Sequence, residues 1–278
     1  MFYKLFKLKK FLHKLEWYIK YKRFSKDPFG IGNNPLPRDY YLQAAEKAKK
    51  NISEDFLKEI KDYFGNLPPN DFVDELALST QIVKKKSELN YNHGYLLYSA
   101  LCRYIKDNPN QNYTILETGT ARGFSAVIMA KALDDANVAG KIITVDVLPH
   151  NDKIYWNCIH DAEGKKTRFE LLEKWKDLVE KYIFFIQGYS DIVLKQLGFP
   201  RVHFAFIDGL HSYEGAKIDA EFVMNFQKKG DVIVFDDYTP DQLPGIVKLV
   251  DEIAESGKYS KKIFSSNSKR GYAYCVRN

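Results

Sequence analysis

The rhythm of apolar positions changes near residue 113. Beyond it, short runs rich in β-branched residues alternate with stretches whose apolar residues recur every three or four positions, as strands and amphipathic helices require. The pattern predicts strands at 113–117, 141–146, 182–187, 202–207, 231–236, 261–265 and 271–276. Helices are predicted between them near 123–133, 167–180, 189–196, 213–228 and 243–256. Such alternation builds a mostly parallel sheet covered on both faces, a doubly wound α/β fold. Only Ser266–Gly271 joins the last two strands, too short for a crossover helix, so they form an antiparallel hairpin at the sheet edge.

Upstream, the pattern is helical. Leu5, Leu8, Leu12, Leu15 and Ile19 make one apolar stripe across residues 2–23, with Lys7, Lys10, His13, Lys14 and Lys20 largely opposite. A basic amphipathic helix of this kind packs on its own domain or a second copy, or lies on an anionic membrane surface. Asp27–Pro37 reads as a linker, and helices follow at 39–50, 53–64 and 92–106, with Ser53 as an N-cap. The chain thus divides into a basic helix over 1–26, a linker over 27–38, a helical cap over 39–110 for substrate binding or oligomerisation, and a catalytic α/β domain over 111–278.

Composition narrows the partners. The net charge is +6, but residues 1–26 hold nine Lys/Arg against Glu16 alone, a net +8, so the remaining 252 residues sum to −2. A nearly neutral body does not expect nucleic acid. No uncharged apolar run reaches the roughly 18 residues that span a bilayer, and the lysine-studded N-terminus offers no apolar secretory core. Cys102, Cys158 and Cys275 are odd in number and far apart. They imply neither a disulfide framework nor a zinc site, and they fit a reducing cytoplasm, with a peripheral membrane position left open by the basic helix.

In an open α/β sheet, ligands bind outside the carboxyl ends of the strands. Strand one ends in Glu117 and enters Gly119-Thr120-Ala121-Arg122-Gly123, where glycine lets backbone pass close to a ligand. The acid suits a cofactor with a cationic amino group. Strand two ends in Asp146, 29 residues later, placed to accept hydrogen bonds from two ribose hydroxyls. A dinucleotide fingerprint starting at Gly119 needs glycine at 121 and 124, where Ala121 and Phe124 stand, and no phosphate-binding G-x-x-x-x-G-K-[ST] loop is present. The expected cofactor carries adenosine without a pyrophosphate.

A second constellation follows strands four and five. Asp208 and the pair Asp236-Asp237 would meet at one rim of the sheet. Three unpaired carboxylates there repel one another unless a cation neutralises them, and oxygen ligands suit Mg²⁺. His211 starts the next helix and can reach the same cleft as a general base. Substrate contacts are expected from the helices at 39–106 and from Val147–Asn157, with Tyr155 and Trp156 able to stack on a ring or pack as core. His93, His150 and His160 are candidates for the substrate mouth, and His203, inside a strand, is expected to be structural.

The ordered series Glu-x-Gly-x-x-x-Gly at 117–123, Asp146, Gln187–Asp191 and Phe206–Gly209 resembles the class I S-adenosylmethionine-dependent methyltransferases over about residues 95–278. The resemblance implies a Rossmann-like seven-stranded sheet. It implies S-adenosylmethionine held by Glu117, Gly119, Thr120, Gly123, Asp146, Gly188, Tyr189, Ser190 and Asp208. Gly119 would border the methionine part, Asp146 the ribose, and Tyr189-Ser190 the adenine; that family often has an acid where Tyr189 stands. Ile207–Gly215, Asp236-Asp237-Tyr238 and Leu243–Ile246 before a helix with Asp251 and Glu252 look like the metal-dependent sugar O-methyltransferases of the macrocin type. That narrower resemblance implies Mg²⁺ on Asp208, Asp236 and Asp237, His211 as base, and a sugar or glycoside acceptor. Catechol-type enzymes share the carboxylates, so a phenolic acceptor is the alternative, and an inactive methyltransferase-fold binding protein is a further one.

Overall fold

The structure is a computed structural model that describes residues 28–29, 35–266 and 270–278. The readings over 2–23 and most of the linker lie outside the described residues. Among the described residues, four helices come first: α1 (Arg38–Lys50), α2 (Glu54–Phe64), α3 (Asn70–Thr80) and α4 (Asn92–Asp107). The α/β part follows as β1 (Tyr113–Thr118), α5 (Phe124–Asp135), β2 (Gly140–Asp146), α6 (Arg168–Leu171), α7 (Lys176–Tyr182), β3 (Ile183–Gln187), α8 (Ser190–Val193), β4 (Phe204–Ile207), α9 (Tyr213–Asn225), β5 (Val232–Phe235), α10 (Pro244–Glu255), β6 (Tyr259–Ser265) and β7 (Gly271–Arg277).

The seven strands order as β3-β2-β1-β4-β5-β7-β6, with β7 antiparallel to both its neighbours and every other pairing parallel. The expected doubly wound sheet with its C-terminal hairpin is what forms. Strands β1, β4 and β5 are buried at every position, as central strands covered on two faces must be. Alternation sorts their side chains into two layers. Tyr113, Ile115, Phe204, Phe206, Val232 and Val234 face one, with α1–α5 and α7. Leu116, Ala205, Ile207, Ile233 and Phe235 face the other, with α9 and α10. The helical segment 39–110 therefore shares one core with the sheet.

Two local readings change. Helix α3 was not among the expected elements, although Val73, Leu76, Ala77 and Thr80 form its buried face. Pro68-Pro69 before it and Lys84-Lys85-Lys86 after it give the stretch a loop-like composition. The helix expected at 167–180 divides into α6 and α7 around a 3-10 turn at Glu173–Trp175, after a capping box between Thr167 and Glu170. Ser53 does cap α2, accepting from the Phe56 amide at 3.3 Å. No helix among the described residues is long and apolar enough to cross a membrane.

Candidate functional site

Parallel pairing aligns the carboxyl ends of β3, β2, β1, β4 and β5 on one edge. A cavity of about 680 Å³ opens there, between Gly119, Asp146, the turn Gly188–Asp191 and the segment Asp208–Ser212. Gly119 is required: its φ is +95°, and a Cβ would lie 1.9 Å from the Asp208 carbonyl oxygen. Asp146 holds the cavity's shape. Its Oδ2 accepts from the Ala121 amide and its Oδ1 from the Leu148 amide, each at 2.7 Å. Each carboxylate oxygen keeps a lone pair for a ligand hydroxyl. Burial raises the Asp146 pKa despite Arg168 and those two amides.

Arg168, fully buried, was not foreseen. It donates from Nε and Nη2 to the Ala121 carbonyl at 3.2 and 3.0 Å, and its guanidinium lies 5.2–5.4 Å from the Phe185 and Trp156 ring centroids. It ties α6 to the turn after β1.

Glu117, Thr120 and Gly123 stand off the cavity. The Glu117 side chain is wholly buried and accepts hydrogen bonds from Ser125 and Thr144. Thr120 hydrogen-bonds Thr144 at 2.5 Å. Gly123 is the left-handed N-cap of α5, where a Cβ would meet Leu172 at 2.8 Å. These residues shape the turn from behind and do not line the cavity. Gly119, Asp146, Gly188, Tyr189, Ser190 and Asp208 all line the cavity.

Burial pushes the Glu117 pKa from 4.5 up to about 7, against the two hydroxyl hydrogen bonds. A carboxyl raised in the folded state binds its proton more tightly than in the unfolded chain. Its charge therefore costs stability as pH rises through the window from 4.5 to about 7, by up to about 3 kcal/mol. Glu117→Gln is expected to gain about that much on the wild type in urea unfolding between pH 5 and pH 8. A difference between the two proteins that is the same at both pH values contradicts the assignment.

The second constellation assembles at the ends of β4 and β5, with an addition. Arg270 donates from Nη2 to Asp236 Oδ2 at 2.6 Å, and its Nε lies 2.8 Å from Asp237 Oδ1. His211 Nδ1 lies 3.2 Å from Asp237 Oδ2, and its Nε2 lies 4.0 Å from Asp208 Oδ1. Asp237 adopts φ +58°, and its amide donates to Asp236 Oδ1 at 2.9 Å. This left-handed turn points the paired carboxylates apart, Asp236 inward and Asp237 toward His211.

The charges are partly settled by protein. Burial would raise Asp236, but the Arg270 guanidinium overrides it and holds the pKa at about 2. Asp208 is raised well above its ordinary value, first by burial and then by the Asp236 charge, and Asp237 is raised by the same two causes. Arg270 and Lys85 are the cations that act on these carboxylates. Donor atoms of Asp208, His211 and Asp237 lie within 4.8 Å of one another, a spacing and donor set that fit a divalent cation. Asp236, expected as a third ligand, pairs with Arg270 and lies outside this cluster, in which the His211 imidazole stands.

The other expected contacts lie elsewhere. Trp156 is wholly buried in a small core with Leu148, Ile154, Cys158 and Leu171, its indole donating to the Lys166 carbonyl at 2.7 Å. Tyr155 faces Lys165. His93 is buried between Phe124 and Phe206, which pushes its pKa down to about 4. His150 hydrogen-bonds Arg168 at 3.0 Å and His160 hydrogen-bonds Ser79 at 3.1 Å. His203 accepts from the Thr114 amide at 3.0 Å, a structural role.

Residues 116–238 match a family model described as a methyltransferase domain. Solved structures share the fold. A candidate O-methyltransferase from Klebsiella pneumoniae is 15% identical, with 79% of this chain and 96% of that one covered and a TM-score of 0.55. The O-methyltransferase of tomaymycin synthesis from Streptomyces achromogenes, solved with S-adenosylmethionine, is 15% identical over 79% and 96%, TM-score 0.52. An O-methyltransferase from Bacillus cereus, solved with S-adenosylhomocysteine, is 16% identical over 81% and 92%, TM-score 0.50. No curated protein matches the chain in sequence.

Proposed function

We propose that this chain, whose residues 116–238 match a methyltransferase-domain model, is a class I S-adenosylmethionine-dependent methyltransferase that transfers the methyl group to a hydroxyl oxygen of a sugar or glycoside, assisted by a divalent cation such as Mg²⁺. One observation carries the reading. The cluster Asp208–His211–Asp237 stands on the rim of the cavity that Gly119 and Asp146 shape, so a base and a cation site adjoin the cofactor site. The O-methyltransferase descriptions of the structural neighbours support the same chemistry.

When bound, the cofactor supplies an electrophilic methyl on a sulfonium. Asp146 would hold its ribose, Gly119 would admit its amino-acid part against bare backbone, and Gly188–Ser190, which line the same cavity, would border its adenine. A hydroxyl is a poor nucleophile until it loses its proton. His211 takes that proton at Nε2, with Nδ1 turned to Asp237, which orients the ring. Asp208, Asp237 and His211 would alternatively hold a divalent cation, whose chemistry is to lower a hydroxyl's pKa and fix its direction. Arg270 keeps Asp236 ionised and Asp237 in place.

EDTA is expected to lower methyl transfer at least tenfold, with recovery on adding Mg²⁺. Full activity in EDTA removes the cation and leaves His211 with Asp237 as the working pair. A reducing cytoplasm, expected from the three scattered cysteines of the sequence, is part of the same proposal. Self-association or membrane contact through residues 2–23 rests on their sequence pattern.

A further inference from the structure

Helices α1 and α3 pack together and leave a groove of about 650 Å³ along their outer faces. Leu42, Ala45, Glu46 and Lys49 of α1 line one side, and Asp71, Asp74, Glu75 and Leu78 of α3 line the other. Both sets recur at three- and four-residue steps, so each is one face of its helix. Buried Ile82 and Tyr91 also line the groove. Leu42 is 40% exposed, and Ala45 and Leu78 are half-buried, so apolar surface stays open to a partner.

The rim is acidic, with four carboxylates along the lining against one ammonium. Asp74 holds that ammonium, Lys49, at 2.5 Å and accepts from the Tyr91 hydroxyl at 2.8 Å. Glu75 pairs with Lys174. Glu46 and Asp71 are in no ion pair among the described residues. Apolar surface flanked by unneutralised acid fits a helix that is apolar on one side and basic on the other.

The chain carries such a segment. Leu5, Leu8, Leu12, Leu15 and Ile19 repeat the same helical steps, and residues 1–26 carry a net +8. Its tether starts near the groove. Phe29 packs against Trp156, with 6.2 Å between ring centroids, and its ring lies 4.2 Å from the Arg122 guanidinium. The next residue after Trp156 is Asn157, expected among the substrate-facing residues, and it clasps Lys84. The Lys84 amide donates to Asn157 Oδ1 at 3.1 Å, and Asn157 Nδ2 donates to the Lys84 carbonyl at 2.8 Å. Ile82, in the groove, stands two residues before Lys84. The stretch Lys20–Pro28 can span about 30 Å when extended. So short a tether holds its segment at an effective concentration in the millimolar range, which favours this chain's own groove over a second copy or a membrane.

We propose that residues 5–19 dock as a helix in the groove between α1 and α3 of their own chain, with leucines against Leu42, Ala45 and Leu78 and lysines toward Glu46 and Asp71. This surface is independent of the methyl-transfer reading. Ile82 and Tyr91 bracket the segment that carries Lys85, so the docked helix braces a stretch that borders Asp237 and Arg270.

Hydrogen exchange read by mass spectrometry on the full chain tests the docking. In the wild type, amides of residues 5–19 are expected to exchange at least tenfold more slowly than in the triple variant Leu8→Asp, Leu12→Asp and Leu15→Asp. The double variant Glu46→Lys and Asp71→Lys changes two exposed side chains of the groove. It is expected to remove the same protection while exchange in β1, β4 and β5 stays as in the wild type, which shows that the fold is kept. Residues 5–19 exchanging as fast in the wild type as in the triple variant overturn the proposal. So does protection that survives the groove variant. Protection that grows with protein concentration overturns it in favour of a second copy. Protection that appears only with phosphatidylserine vesicles overturns it in favour of a membrane surface.

Discussion

Asp237→Ala is expected to lower kcat about 10³-fold while leaving the dissociation constant for S-adenosylhomocysteine within threefold of wild type. The magnitude follows from what the side chain touches. Its Oδ2 stands 3.2 Å from His211 Nδ1, and its Oδ1 stands 2.8 Å from Arg270 Nε. Removing it frees the imidazole to rotate or, where the cluster holds a cation, takes away one of that cation's donors. A positioned general base contributes roughly 10²–10⁴-fold to a rate, and the loss of its orienting partner forfeits much of that. Asp237 does not line the cofactor cavity, so cofactor affinity should hold. Kinetics with a saturating acceptor and calorimetry with S-adenosylhomocysteine check the two halves. A variant that keeps a tenth of the wild-type kcat, or that loses cofactor affinity in step with rate, contradicts the assignment.

Asp146→Ala is expected to have the opposite profile, weakening S-adenosylhomocysteine binding about 100-fold. Hydrogen bonds to a charged acceptor are worth about 1.5–3 kcal/mol each, and two ribose hydroxyls would share this carboxylate. The variant also strips the Ala121 and Leu148 amides of their acceptor, loosening the turn around the cavity. Asp146→Asn keeps one accepting oxygen and is expected to recover about tenfold of the loss. Calorimetric titration separates the outcomes; an affinity unchanged in Asp146→Ala removes the ribose assignment.

Much of this was legible in the chain itself. Period-two and period-3.6 patterns carry strand and helix identity, so all seven strands and the crossover helices could be read before any coordinates. Polar residues at strand ends then located Asp146, Asp208 and Asp236-Asp237, because parallel strands bring their carboxyl ends to one edge. Most misses arise because a side chain's packing partners, even those 8 to 27 residues away, leave no periodic pattern. Glu117 sits at a strand end like Asp146, yet it belongs to a buried layer where Ser125 and Thr144 take its oxygens. Trp156 looks like a stacking residue and is core.

Arg270 illustrates what more could have been extracted. β7 runs antiparallel to β5 with Ala273 beside Phe235, so the residue just before β7 must stand at the end of β5, against Asp236 and Asp237. Hairpin register, had it been placed beside β5, would have supplied the cation that three neighbouring carboxylates demand. Lys85 had no such signal, because its place depends on the Asn157 tie between distant loops.

The central claim is that cofactor and chemistry meet at the carboxyl edge of β1, β2, β4 and β5. A crystal structure of the full chain with S-adenosylhomocysteine tests it most directly. The predicted result has the ribose hydroxyls on Asp146, the amino-acid part against Gly119, and the sulfur turned toward Asp208, His211 and Asp237. A cofactor seated elsewhere, or one whose sulfur faces away from those three residues, contradicts the account.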